Sequence, residues 1–125
     1  MSCVAAAVAL TSPNAVQIIE RAAAYARDAG EPCFVISVVA TLPYGVTSDE
    51  DFTKVRSTLA AIEEEGAAPI VQEGDDVVGL LVGLGRAFGV RTLFVGGIGS
   101  TAARIARADP PFDIAIVAQR NAPAW

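Results

Sequence analysis

The sequence contains no histidine, a single lysine and only two cysteines. Without histidine, a Ser–His catalytic mechanism is excluded, and a zinc or other transition-metal site has few ligands to draw on. Two cysteines do not make a disulfide framework. We therefore expect Cys3 and Cys33 to be reduced and buried, as in a cytoplasmic protein.

Clusters of positive charge and long apolar runs are also missing. The net charge is −5 and the arginines are scattered, so nucleic acid and anionic membrane surfaces are poor candidate partners. No stretch approaches the roughly 20 apolar residues of a membrane span, and no positive segment precedes the first apolar run. What is present is 53% hydrophobic and 18% charged residues in a chain of 125. That composition predicts one globular domain over residues 1–125.

Five short apolar runs alternate with helical patterns along the chain. The predicted strands are Cys3–Leu10, Cys33–Val39, Pro69–Gln72, Thr92–Gly96 and Asp113–Ala118. Regular strand–helix alternation predicts parallel strands joined by right-handed crossovers. We expect a flavodoxin-like, doubly wound α/β fold: a five-stranded parallel sheet in the order 3-2-1-4-5 with helices on both faces.

Capping residues and apolar spacing mark four helices. The first has Ser12 as N-cap and Pro13 as its first residue, and it ends at Gly30. The second follows a capping-box-like pair and should turn its large apolar side chains inward; the pair is Ser48 and Asp51, and the side chains are Phe52, Val55, Leu59 and Ile62. The third is capped by Asp75 or Asp76 and runs to Ala87, with Val77, Leu80, Leu81 and Leu84 inward. The fourth is Thr101–Ala108.

A ligand in such a fold sits outside the carboxyl ends of the strands, where the strand order reverses. Here that point lies between Leu10–Ser12 and Gly96–Thr101. The glycines after the fourth strand either let a backbone approach a phosphate at a helix N-terminus or only provide a tight strand-to-helix turn. Arg104 and Arg107 could reach such a phosphate, but we favour a solvent-facing position for both.

Other signals have simpler interpretations. Gly83, Gly85 and Gly89 imitate a dinucleotide fingerprint but follow helical residues, so close helix packing is favoured over cofactor binding. A response-regulator receiver domain shares the element order, yet it needs acidic residues after the first strand and an aspartate after the third. This chain has Leu10-Thr11-Ser12 at the first position and Val71-Gln72-Glu73 at the second, which excludes that chemistry.

Several segments together resemble the universal stress protein family. They are Ser12–Ala26, Ile36–Val39 with Leu42-Pro43-Tyr44, Gly74-Asp75 with Ala87 and Thr92–Gly96, Gly99-Ser100-Thr101 with Arg104-Ile105, and Phe112–Ala118. The resemblance runs from Val4 to Gln119 and implies a homodimer through the fifth strand. It departs from the ATP-binding members at two places: Leu10 replaces an aspartate, and the loop between Gly96-Gly97 and Gly99-Ser100 is shortened.

The resemblance implies a small regulatory or binding protein, not an enzyme, with weak binding of ATP or AMP. The expected nucleotide contacts are Leu10, Thr11, Ser12, Val39, Gly97, Gly99, Ser100 and Thr101. An alternative is a dimeric interaction domain that binds no nucleotide and regulates a transporter or kinase. A nucleotide hydrolase ranks last, because no base, metal ligand set or activated nucleophile can be named.

Overall fold

A computed structural model describes residues 2–39, 49–96 and 101–117, and within 49–51 the backbone only. Strands and helices alternate in the order β1 (Cys3–Ala7), α1 (Ala15–Ala29), β2 (Cys33–Val39), α2 (Asp49–Glu64), β3 (Ala68–Glu73), α3 (Val77–Phe88), β4 (Val90–Gly96), α4 (Thr101–Arg107) and β5 (Asp113–Val117). All four strand pairs are parallel, in the order β3-β2-β1-β4-β5. The predicted fold class and strand order are confirmed.

The helices cover the sheet on both faces, as expected for strands that are apolar throughout. Along β1, Val4 and Ala6 point into the core formed with α1 and α2. Cys3 and Ala5 point into the opposite core, which α3 and α4 close. The short side chains of β1 let both helix layers approach the central strand closely, and Val4, Ala5 and Ala6 are fully buried.

The first strand and first helix are both shorter than predicted. The strand ends at Ala7 because a turn follows it, closed by the Ser12 amide donating to the Ala9 carbonyl at 2.9 Å. Helix α1 starts at Ala15 with Asn14 as its N-cap residue, so the predicted cap at Ser12 and Pro13 is wrong by two residues. Gly30 ends α1 as predicted, with a φ of 67° that suits glycine.

The buried face of helix α2 agrees only in part with the predicted one. Of the four side chains predicted inward, Ile62 is buried and Val55 is partly buried. Phe52 and Leu59 are instead 58% and 44% exposed, and Thr58 and Ala61 are buried. The Thr58 hydroxyl lies 2.9 Å from two carbonyl oxygens, so its polarity is satisfied inside the protein. Size alone misled the prediction, because small side chains form the contact with the alanine-rich face of α1. The predicted pair Ser48 and Asp51 lies outside the described side chains.

Helix α3 begins as predicted with Asp76, whose carboxylate accepts a hydrogen bond from the Gly79 amide at 3.0 Å. Its inward face is narrower than predicted. Leu81 and Gly85 are buried, Leu80 and Leu84 are partly buried, and Val77 is 37% exposed. The close-packing interpretation of the glycines is confirmed for Gly85, which faces Phe112, and is wrong for Gly83, which has open space around it.

The two cysteines point to opposite faces of the sheet. Cys33 is in register with Val4 and packs with the α1–α2 core, whereas Cys3 belongs to the α3–α4 core. Cys3 is buried, but Cys33 is only partly so, which corrects the prediction that both are buried. A disulfide between them would require one strand to turn over, since neighbouring side chains point to opposite faces. In the described part of the chain, no helix has the length and apolarity to cross a membrane.

Candidate functional site

A cavity of about 290 Å³ opens at the carboxyl ends of β1, β2 and β4. It lies at the predicted reversal point, between β1 and β4, where α1 leaves to one face and α4 to the other. Thirteen described residues line it: Ala7, Val8, Ala9, Ser12, Asn14, Ile18, Ile36, Val38, Val77, Leu81, Val95, Gly96 and Thr101. The place predicted for a ligand therefore holds an open cavity.

Small residues at the strand ends make this space. Ala7, Ala9 and Gly96 present little or no side chain where the first and fourth strands stop. A Cβ atom added at Gly96 would lie 3.4 Å from Cδ1 of Ile18, so even one methyl group would touch the cavity wall. Aliphatic side chains from β2 and from the first turns of α3 form a further part of the wall. Such a surface suits the flat apolar face of an organic ligand.

Three uncharged polar side chains complete the lining: Ser12, Asn14 and Thr101. Asn14 holds the N-cap position of α1, yet its side chain makes no capping hydrogen bond. Its own backbone amide donates to the Ser12 hydroxyl at 3.3 Å. The Asn14 carboxamide has both a donor and an acceptor to offer a ligand, and the hydroxyls of Ser12 and Thr101 can serve in either role.

None of the described lining residues carries a charge. Asp75 and Asp76, just before α3, are exposed, and the second is engaged in capping that helix. Arg104 and Arg107 are exposed on α4, which confirms that they face solvent. Helix α4 has only seven residues, so its dipole is small. The described surroundings of the cavity therefore offer little to hold a highly charged phosphate chain.

The predicted contacts divide into three groups. Ser12 and Thr101 line the cavity. Leu10, Thr11 and Val39 lie nearby without lining it, and the Leu10 carbonyl accepts a hydrogen bond from the Thr58 hydroxyl at 2.9 Å. The predicted contacts Gly97, Gly99 and Ser100 lie outside the described residues.

Sequence reasoning missed part of the lining, notably Asn14, Val38 and Val77. The first was overlooked because Ser12 is the stronger capping signal in the sequence. Val38 stands beside the predicted Val39, and side chains alternate along a strand, so one residue decides the side. Val77 was assigned to the core, and only its exposure at the start of α3 places it on the cavity wall.

A cluster of charged groups at the opposite, amino end of the sheet has a structural role. Arg91 of β4 forms an ion pair with Glu31, which also accepts a hydrogen bond from Ser2. The hydrogen bond from Arg91 lowers the pKa of the Glu31 carboxyl below its ordinary value, and the Ser2 hydrogen bond adds to this. The same guanidinium lies 5.4 Å from the centre of the Tyr25 ring. These contacts tie the end of α1 to the start of β4.

Comparison with known proteins identifies the fold. No family model matches the sequence, and no curated protein matches it. A universal stress protein from Archaeoglobus fulgidus is 22% identical with a TM-score of 0.65, over 93% of this chain and 92% of that one. A structure of the universal stress protein from the same organism in complex with dAMP is 23% identical with a TM-score of 0.65, covering 93% and 97%. A universal stress protein in complex with cAMP is 18% identical with a TM-score of 0.67, covering 90% and 95%. The chain therefore has the fold of the universal stress proteins.

Proposed function

We propose that this chain, which has the fold of the universal stress proteins, binds an adenine nucleotide in the cavity between β1 and β4. The observation that carries the proposal is an open cavity at the strand-order reversal, where doubly wound sheets bind ligands. Its volume of about 290 Å³ lies at the small end of the range for ligand pockets. Two structural neighbours are complexes with dAMP and cAMP, which supports the choice of ligand.

In this proposal the base lies on the aliphatic wall made by Val38, Val77 and Leu81. The hydroxyl of Ser12 and the carboxamide of Asn14 hydrogen-bond the polar edges of the base or the ribose. We expect the affinity for the nucleotide to be weak, because Leu10 takes the position at which ATP-binding universal stress proteins carry an aspartate. Losing a charged hydrogen-bond partner typically costs ~1.5–3 kcal/mol, about tenfold to a hundredfold in affinity. We expect a dissociation constant for AMP in the high micromolar range.

Titration calorimetry with AMP tests this directly when it is combined with a variant that fills the cavity. Val77 lines the cavity and is 37% exposed, so Val77→Trp places an indole there without displacing a core side chain. Val71→Trp is the matched control, because Val71 is 56% exposed on β3 and does not line the cavity. We expect the wild type and the control to bind AMP alike, and Val77→Trp to lose at least about tenfold in affinity. A wild type that gives no binding heat, or a Val77→Trp variant that binds as well as the control, refutes the proposed function.

Assembly as a homodimer through β5 is a second part of the proposal. In the described sheet β5 is an edge strand that pairs only with β4, and its Ile116 side chain is 63% exposed. Apolar edges of this kind need covering, and a second copy of the same strand would cover this one. We expect a dimer in sedimentation experiments at micromolar concentration, and a monomer after Ile116→Lys. A wild-type monomer, or a dimer that survives Ile116→Lys, contradicts this assignment.

A regulatory role in the cytoplasm, without catalysis, completes the proposal. The unpaired thiols on opposite faces of the sheet suit a reducing compartment. Regulation of a transporter or kinase by an interaction surface is the alternative. A filled crevice would have favoured it, whereas the open cavity favours a bound small molecule. The test that separates the two is whether a nucleotide co-purifies with the protein.

A further inference from the structure

In the part that the structure describes, the chain at the carboxyl ends of the three central strands contains no charged residue. Residues 8–19, 37–39, 92–96 and 101–103 have neither aspartate, glutamate, lysine nor arginine, although 18% of the whole sequence is charged. They include the ends of β1, β2 and β4 and the described residues that follow. The absence of charge in these residues coincides with the edge of the sheet where the ligand would sit.

The absence of charged residues at the cavity disfavours the binding of a phosphate. Every described lining residue is uncharged, and the polar ones are Ser12, Asn14 and Thr101. The charged groups that immediately precede α3 are acidic, namely Asp75 and Asp76. A phosphate that enters the cavity loses water without gaining a cationic partner among the described lining residues, and that exchange is unfavourable. An uncharged nucleoside meets no such penalty.

The neutral polar groups are suited to a nucleoside. A carboxamide offers a donor and an acceptor side by side, which matches the paired donor and acceptor on the edge of adenine. Asn14 lines the cavity, and its carboxamide is not used to cap α1. The aliphatic wall opposite supplies contact with the face of the base.

From these observations we infer that the cavity recognises the uncharged nucleoside part of its ligand and gains nothing from the phosphates. This rests on the proposed function and narrows its ligand class to adenosine and, less favourably, its monophosphate. Adenosine binds at least as tightly as AMP, and both bind more tightly than ATP. Because no ion pair contributes, the affinity for adenosine and AMP stays the same between about 0.1 M and about 1 M salt.

One cation that could still reach a phosphate is Arg104. It is exposed on α4, three residues after Thr101, and a flexible side chain there could reach a phosphate. Arg104→Gln removes that charge, and Arg107→Gln, one turn further along α4, is the matched control. Neither residue lines the cavity. We expect both variants to bind AMP with wild-type affinity.

Calorimetric titration of the wild type with adenosine, AMP and ATP, repeated for AMP with the two arginine variants, decides the matter. The expected order is adenosine at least equal to AMP and AMP tighter than ATP, with no effect of either variant. Tighter binding of ATP than adenosine, or a loss of AMP affinity in Arg104→Gln alone, overturns the inference and leaves the proposed function standing. Absence of binding for all three compounds overturns both.

Discussion

Replacing Gly85 by alanine should destabilise the fold, although alanine is the better helix former. Gly85 is buried in α3, and a Cβ atom there would lie against Cε2 of Phe112 and 2.7 Å from its Cδ2 atom. Phe112 is 7% exposed and belongs to the core under α3 and α4, so its ring has little room to move. Overpacking of this kind costs ~1–3 kcal/mol, and the gain in helix propensity offsets about 1 kcal/mol. We expect the free energy of unfolding of Gly85→Ala to be lower than that of the wild type by up to ~2 kcal/mol.

Gly83→Ala is the matched control on the same helix. Nothing lies within 4 Å of a Cβ atom at Gly83, so only the propensity gain remains, and the variant should be ~0.5–1 kcal/mol more stable. Urea unfolding followed by far-ultraviolet circular dichroism measures both changes as shifts of the midpoint at constant slope. In a Phe112→Leu background the cost of Gly85→Ala should shrink. Equal stability of Gly85→Ala and Gly83→Ala would contradict the close contact between α3 and the Phe112 ring.

Three further predictions concern hydrogen bonding, pH and thiol chemistry. Thr58→Val should cost ~1–3 kcal/mol in urea unfolding, because the partly buried carbonyl oxygens of Leu10 and Lys54 lose the hydroxyl that they share; Thr58→Ser, which keeps the hydroxyl, should cost clearly less. The hydrogen bond from Arg91 lowers the pKa of Glu31. The stability that the ionised Glu31 contributes is therefore present above the ordinary pKa of a glutamate and is lost as pH falls through the lowered pKa. The stability difference between wild type and Arg91→Gln should therefore be smaller at about pH 2 than at about pH 7, and an equal difference at both contradicts the pairing. Burial raises the pKa of Cys33 to about 11, so iodoacetamide at about pH 8 should alkylate the native protein far more slowly than the unfolded chain; a Cys3–Cys33 disulfide found by non-reducing mass spectrometry would refute the opposite-face arrangement.

The sheet could be predicted from the sequence because apolar runs and helical spacing report which elements exist. Strand β2 was predicted at its observed bounds, Cys33–Val39, since Glu31 and Pro32 precede it and β-branched residues are frequent along it. The end of β1 could not be located in the same way. Alanine and valine continue past Ala7, and the strand stops only because the turn from Ala9 to Ser12 redirects the chain. The pattern of apolar residues cannot show where a strand ends when a backbone hydrogen bond in the following turn sets that end.

The site was predictable in position but only partly in residues. The reversal of strand order between β1 and β4 follows from topology, and Ser12 and Thr101 lie at that edge. The cavity itself depends on where small side chains leave space, as Gly96 does beside Ile18. Part of the buried face of α2 was mispredicted for a related reason. Burial of Thr58 depends on two carbonyl acceptors that no periodicity can show.

Mapping of backbone amide chemical shifts tests most directly whether a nucleoside-containing ligand binds in the cavity at the carboxyl ends of the strands. AMP is added to the ¹⁵N-labelled protein, and the shift of each backbone amide is followed to saturation. The account predicts the largest shifts at Ser12, Val38 and Thr101, which line the cavity, and none at Glu31 and Arg91 at the amino end of the sheet. Shifts concentrated around Glu31 and Arg91, with the cavity residues unchanged, would contradict it.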